Sequence, residues 1–141
     1  MKGKNLTIQF PYKIISLKTN SFSEISLSDE EIDDFNPDAI EFGIKPSFGF
    51  NDELRAVKVN YIITYTYNSK ELLKIDVDTV FEYADIEGFD SKSKAFLASI
   101  LGISFSTIRG IILNRTIGSF LNNIYLPIIN PTEIIDDQVK N

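Results

Sequence analysis

The chain predicts an α+β fold, a four-stranded antiparallel sheet followed by two helices packed on one of its faces, assembled as an oligomer. Apolar and polar side chains alternate over residues 57–67 and 72–83, which is the two-residue period of half-buried strands. Past Gly88 the apolar spacing lengthens to that of helices. From Phe105 to Leu121 the helix-period stretch is then apolar on almost every side: at about 100° per residue, Phe105, Ile108 and Ile112 share one arc, Leu113, Ile117 and Phe120 another, with Ile111 and Leu121 in the gaps. A helix apolar all round is normally buried on more than one face. The chain's own sheet covers one side, and a second copy of the chain is the simplest cover for the other. Phe105, Ile108, Arg109 and Ile112 are the expected oligomer interface.

The elements follow in order. Tyr12 to Ile25 mixes alternating and adjacent apolar residues, which suits a long strand whose facing changes once at a bulge. Ser28 to Asp38 is an acidic loop in which Ser28 and Glu31 have capping-box spacing, enough for one helical turn that Pro37 ends. Ala39 to Lys45 reads as the second strand, with Ile40, Phe42 and Ile44 on one face. The third strand places Val57, Val59, Tyr61, Ile63, Tyr65 and Tyr67 on one face, and the fourth turns Leu73, Ile75, Val77, Thr79, Phe81 and Tyr83 inward. The link Asn68-Ser69-Lys70 is so short that these two strands must pair antiparallel. Ser91 or Ser93 caps a short helix through Leu101, stopped by Gly102, and Ser104 or Ser106 caps the long one. Gly110 and Gly118 inside or at the end of that helix point to close packing or, for Gly118, a helix end. Ile124 to Ile129 leaves as an extended apolar segment, and Asn130-Pro131-Thr132-Glu133 starts a final turn. All 141 residues form one domain, with frayed tails over about residues 1–6 and 136–141.

Composition excludes several functions. With no Cys there are no disulfides, thiolate metal sites or cysteine nucleophiles, and with no His the commonest general base and transition-metal ligand are gone. No metal and no cofactor are expected. A net charge of −6 and the absence of a basic cluster argue against nucleic acid as a partner. The start Met1 to Leu6 lacks the apolar core of a signal peptide, and Phe96 to Leu113 is interrupted by Gly102, Ser104, Ser106 and Arg109, so neither export nor membrane insertion is expected. The expected location is the cytoplasm. Asp76, Asp78 and Glu82 share a strand face, but alternating charge on a strand is ordinarily a solvated surface. Of Arg109 and Arg115, the cations inside the long helix, one is expected to reach a carboxylate or backbone carbonyls across a subunit interface.

Several strings then resemble the SecB-like chaperone family. Val80-Phe81-Glu82-Tyr83-Ala84-Asp85-Ile86-Glu87-Gly88 is similar to the end of that family's fourth strand, and Asp34-Phe35-Asn36-Pro37-Asp38 to its acidic crossover between the first two strands. Arg109, Gly118-Ser119-Phe120 and Pro127 match a late Arg, Gly-Thr-Phe and Pro, so the resemblance spans roughly residues 12 to 135. It implies a homotetramer, a dimer of dimers, that holds unfolded polypeptides in long apolar grooves and catalyses nothing. It implies that Phe35 and Pro37 in the crossover, with Phe120, Leu121 and Tyr125 beyond the long helix, line the groove. Phe35 as a loop anchor and Phe120 as core are the plainer alternatives. The family's acidic docking position for the translocation motor SecA is Lys74 here, which puts an export role in doubt and leaves toxin-antitoxin-associated relatives as equal models. A small apolar-ligand binding module on the same scaffold is the competing function.

Overall fold

In the computed structural model, which describes residues 11–140 and side chains as far as 137, one antiparallel sheet is built from β1 (Tyr12–Glu24), β2 (Glu41–Asn51), β3 (Ala56–Tyr67) and β4 (Lys70–Tyr83). Their spatial order is β1-β4-β3-β2, so the first two strands of the chain form opposite edges. The connection between them crosses one end of the sheet and carries α1 (Asp29–Asp33) and a 3₁₀ turn, Pro37–Ala39. Asn68 and Ser69, at φ 49° and 63°, make the two-residue left-handed turn that joins β3 to β4 with the twist a hairpin needs.

The predicted alternation is observed. Val57, Val59, Tyr61, Ile63 and Tyr65 are completely buried on one face, beside Leu73, Ile75, Val77 and Phe81. Each such aliphatic side chain withdrawn from water contributes at most about 1.5–3 kcal/mol, which makes this double row the main stabiliser of the fold. In β1 the facing is corrected twice, at Ile15 and at Asn20. Each extra residue resets the pleat, so that Ile14, Leu17 and Phe22, unevenly spaced in sequence, all share a face with their partners Phe81, Thr79 and Ile75. β2 runs on to Asn51, past the expected end at Lys45, because an edge strand tolerates the missing N–H of Pro46.

The helical half departs from expectation. The short helix ending at Gly102 and the long helix capped at Ser104 or Ser106 are one helix, α2 (Lys94–Arg115), capped by the Ser93 hydroxyl, which accepts from the Phe96 N–H. Gly102 is no stop. It lies inside the helix against the Pro131 ring, which a Cβ would meet at 3.4 Å in ordinary contact, and Ser104 is buried inside the helix. The helix ends at Arg115, and Gly118, at φ 83° three residues on, turns the chain away. The expected final turn grows into α3 (Pro131–Lys140), and Asp136, expected to fray, pairs with Lys94 at 2.6 Å. Tails at residues 1–6 lie outside the described residues.

By length and composition α2 would suffice to cross a membrane, yet one side of it packs on β3 and β4. The Tyr61 hydroxyl donates to the Leu101 carbonyl at 2.9 Å, and the Tyr61 and Phe105 rings lie 5.8 Å apart. Phe105, Ile108 and Ile112 are only 2, 1 and 2 % exposed within their own protomer. This corrects the interface assignment, because the arc read as facing a sister subunit is the one that faces the sheet. The uncovered side of α2 carries Ser99, Ile103, Ser106, Gly110 and Asn114.

Candidate functional site

The crossover is fixed at both ends by local chemistry. Ser28 caps α1 in a reciprocal box: its hydroxyl accepts from the Glu31 N–H, and the Glu31 carboxylate accepts from the Ser28 N–H, at 3.2 Å each. Those bonds, with Lys70 at 3.6 Å, hold the Glu31 carboxyl below its ordinary range and tie α1 to the start of β4. Next, the Tyr67 hydroxyl accepts from the Asn36 N–H and donates to the Asp34 carbonyl. Asn36 in turn caps the 3₁₀ turn through the Asp38 N–H.

Phe35 lies between these anchors. Its ring centre is 4.8 Å from that of Tyr67 and 5.2 Å from that of Phe120, the latter edge to face, so the crossover touches the segment beyond α2. The structure therefore brings together two of the five predicted groove residues. Pro37 is exposed on the outer side of the turn, and Tyr125 is 66 % exposed. Leu121 is a correction: it is fully buried in the core and has no surface to offer. The helical period had carried it past Gly118, where the chain in fact turns into a 3₁₀ segment, Phe120–Asn123, that points Leu121 inward.

Beside Phe120 an open cleft of about 440 Å³ runs between the end of β1, the crossover and the end of α2, lined by Leu27, Ile32, Ile117, Gly118 and Phe120 among others. Its wall is fixed by the Ser119 hydroxyl, which donates to the Glu24 carboxylate and accepts from the Leu121 N–H. Ile32 is one apolar residue in an acidic turn, a signal legible in the sequence, whereas Ile117 reads there as one more member of the helical period.

A second open cleft, of about 470 Å³, lies at edge strand β2. Ile44 and Pro46 face Ile128, Ile129 and Ile134 across it, with Asn130, Glu133 and Asp137 on the rim. Sequence reading missed it, because it is closed by α3, which was expected to be a single turn. Ile128, on its lip, is 93 % exposed.

The arginines of α2 both make contacts within their own protomer. Arg109 donates to the Pro127 carbonyl at 3.4 Å and lies 5.5 Å from the Phe105 ring centre, and Arg115 lies 5.4 Å from that of Phe22. On the outer face of the sheet, the Asn60 amide donates to both Asp76 and Asp78, at 2.6 and 2.8 Å, and Asn20 reaches Asp76 at 3.1 Å. Burial raises the Asp78 pKa, but hydrogen bonds from the amides of Asn20 and Asn60, with Lys58 and Lys18 nearby, outweigh it and hold the carboxyl below its ordinary range.

This strand order, with the crossover at one end and a long helix across one face, is the SecB-like fold. Among solved structures, the chain is similar to a SecB-like chaperone of Mycobacterium tuberculosis in complex with a ChAD peptide from the HigA1 antitoxin. The TM-score is 0.54 at 14 % identity, covering 84 % of this chain and 90 % of that one. A protein of unknown function from Streptococcus agalactiae aligns over 84 % of this chain and 96 % of its own at 8 % identity, with a TM-score of 0.42. No protein-family model matches the chain, and no curated protein gives a significant match.

Proposed function

We propose that this protein is a holding chaperone: it binds unfolded polypeptides in its two open clefts, through the apolar side chains that line them, works in the cytoplasm as a homotetramer, and needs neither cofactor nor catalysis. The observation that carries the reading is uncovered apolar surface in open clefts, Ile32, Ile117 and Phe120 in one and Ile44, Ile128 and Ile129 in the other. A monomer has no folding reason to leave such area wet. Open clefts suit an extended chain better than they suit the enclosed pocket of a small-ligand module.

Two further features support the reading. The fold is shared with a chaperone seen holding a peptide from an antitoxin, which favours a toxin-antitoxin setting over export, as does Lys74 at the position of a SecA-docking acid. Ile14, Ile15 and Leu17 on edge strand β1 remain 43, 49 and 48 % exposed, and with the bare side of α2 they are surface that sister subunits would cover.

Light scattering of a chemically denatured client diluted into buffer tests the function. Aggregation is expected to be suppressed near one tetramer per client, and Ile32→Asp combined with Ile117→Asp, both at exposed positions, is expected to abolish suppression without unfolding the protein. Aggregation at the unassisted rate in the presence of the wild type would remove the chaperone reading and leave the fold.

A further inference from the structure

The segment 124–130 crosses from the 3₁₀ turn to α3 and packs only alternate side chains. Ile124 and Leu126 are buried, whereas Tyr125, Pro127 and Ile128 face outward. Beneath it is a tight space lined by Tyr65, Arg109, Ile112 and Leu113, with Ile124, Tyr125 and Leu126 as its roof, and it has no room for a water molecule. Two polar atoms are shut into this region without a hydrogen-bond partner among the described residues, the Tyr65 hydroxyl and the Arg109 Nε. Among the described residues no carboxylate pairs with Arg109. The polar link from Arg109 to the segment is the bond to the Pro127 carbonyl, and at 3.4 Å it is at the long end of the range.

Burying a donor dry and unpaired costs its full hydration, and the cost is higher for a charged group. A closed segment that imposes this on a phenol and on one nitrogen of a guanidinium sits in a shallow minimum. Lifting it rehydrates both groups at the expense of two aliphatic side chains, Ile124 and Leu126. The same movement carries Ile128 and Ile129, which form one wall of the β2 cleft.

We infer that the 124–130 segment is a gate, loosened by the unpartnered Tyr65 hydroxyl and Arg109 Nε beneath it, whose opening enlarges the β2 cleft for an extended polypeptide. The use of the opening rests on the holding function proposed above, but the motion does not.

Amide hydrogen exchange on the full chain, paired with the aggregation assay, tests it. Tyr65→Phe removes the orphan hydroxyl and keeps the ring. Exchange in peptides covering 119–130 is expected to slow by about tenfold, the equivalent of one restored buried group, while β1 and the crossover exchange as before. Arg109→Met, an apolar side chain of similar reach, is expected to do the same, and Leu126→Ala to accelerate the segment. Both slowing variants are expected to hold client less well than the wild type. Unchanged or faster exchange of the segment in Tyr65→Phe and Arg109→Met overturns the gate, and so does slowing spread evenly over the whole chain. A slowed segment with undiminished holding overturns its role in client entry. A wild type that holds no client removes the function proposed above, and the exchange data still decide whether the segment moves.

Discussion

Phe35 shows how one side chain organises the crossover. Its ring meets Tyr67 on β3 and Phe120 beyond α2, and so joins three separate stretches of chain. Phe35→Ala is expected to cost ~2–3 kcal/mol, from lost burial plus two ring contacts, read as a lowered urea midpoint at unchanged slope. A loss below ~0.5 kcal/mol would mean that the ring is a client contact and not an anchor. The acidic-aromatic-Pro string marks Phe35 in the sequence, but nothing local predicts Tyr67 as its partner. Tyr67 reads as the last member of an inward row, and only the return of the crossover over the sheet end recruits its ring and hydroxyl. Leu121 was misread because the helical period continues through Gly118 on paper. Glycine at positive φ breaks that period physically, and the residues after it point by the geometry of a new turn.

At the scale of elements, the strands were legible and the helix boundaries were not. Period-two alternation is imposed by the pleat, which is why β3 and β4 match their expected faces except at Leu72, buried beside Leu73 where the register between the two strands shifts. Gly and Ser are ambiguous signals by comparison. Gly102 and Ser104 resemble a stop and a start, but the space beside Gly102 is filled by Pro131 of α3, and tertiary packing overrides the local preference. The amide-carboxylate cluster that bridges β1, β3 and β4 was read as plain solvated charge, because its Asn partners sit on other strands. It makes a pH prediction. The Asp78 pKa is lower in the folded chain than its ordinary value of about 3.9. Its stabilisation is therefore fully present above the ordinary value and is lost as the pH falls through the lower folded one. Chemical denaturation of the wild type and Asp78→Asn should show a gap that narrows as the pH drops from about 5 to about 2.5. A gap that stays constant across that range would assign the cluster no electrostatic role.

At the scale of the whole molecule, the surface left bare decides assembly. The sheet takes up Phe105, Ile108 and Ile112, the opposite side of α2 carries Ile103 among Ser99, Ser106, Gly110 and Asn114, and the uncovered apolar strip is that of β1, Ile14, Ile15 and Leu17. Sequence reading placed the interface on the arc that the sheet covers, because the phase of a helix relative to its sheet is set by packing and not by periodicity. Sedimentation equilibrium is expected to return a mass four times that of the 16.0 kDa chain. Ile14→Glu with Leu17→Glu is expected to shift it to smaller species with the far-ultraviolet circular dichroism retained. A wild-type protomer that stays single at high concentration would sink the tetramer.

The sheet order has a consequence for biosynthesis. Tyr12 lies against Tyr83 and Glu24 against Leu73, and among the described residues β4 is the one strand that β1 pairs with. During translation the first strand made must wait until the last has left the ribosome, a non-local closure that is slow by its topology. Until then its isoleucines are unpaired in the nascent chain, so each new copy spends its first seconds as the kind of exposed polypeptide that the finished protein is proposed to shelter.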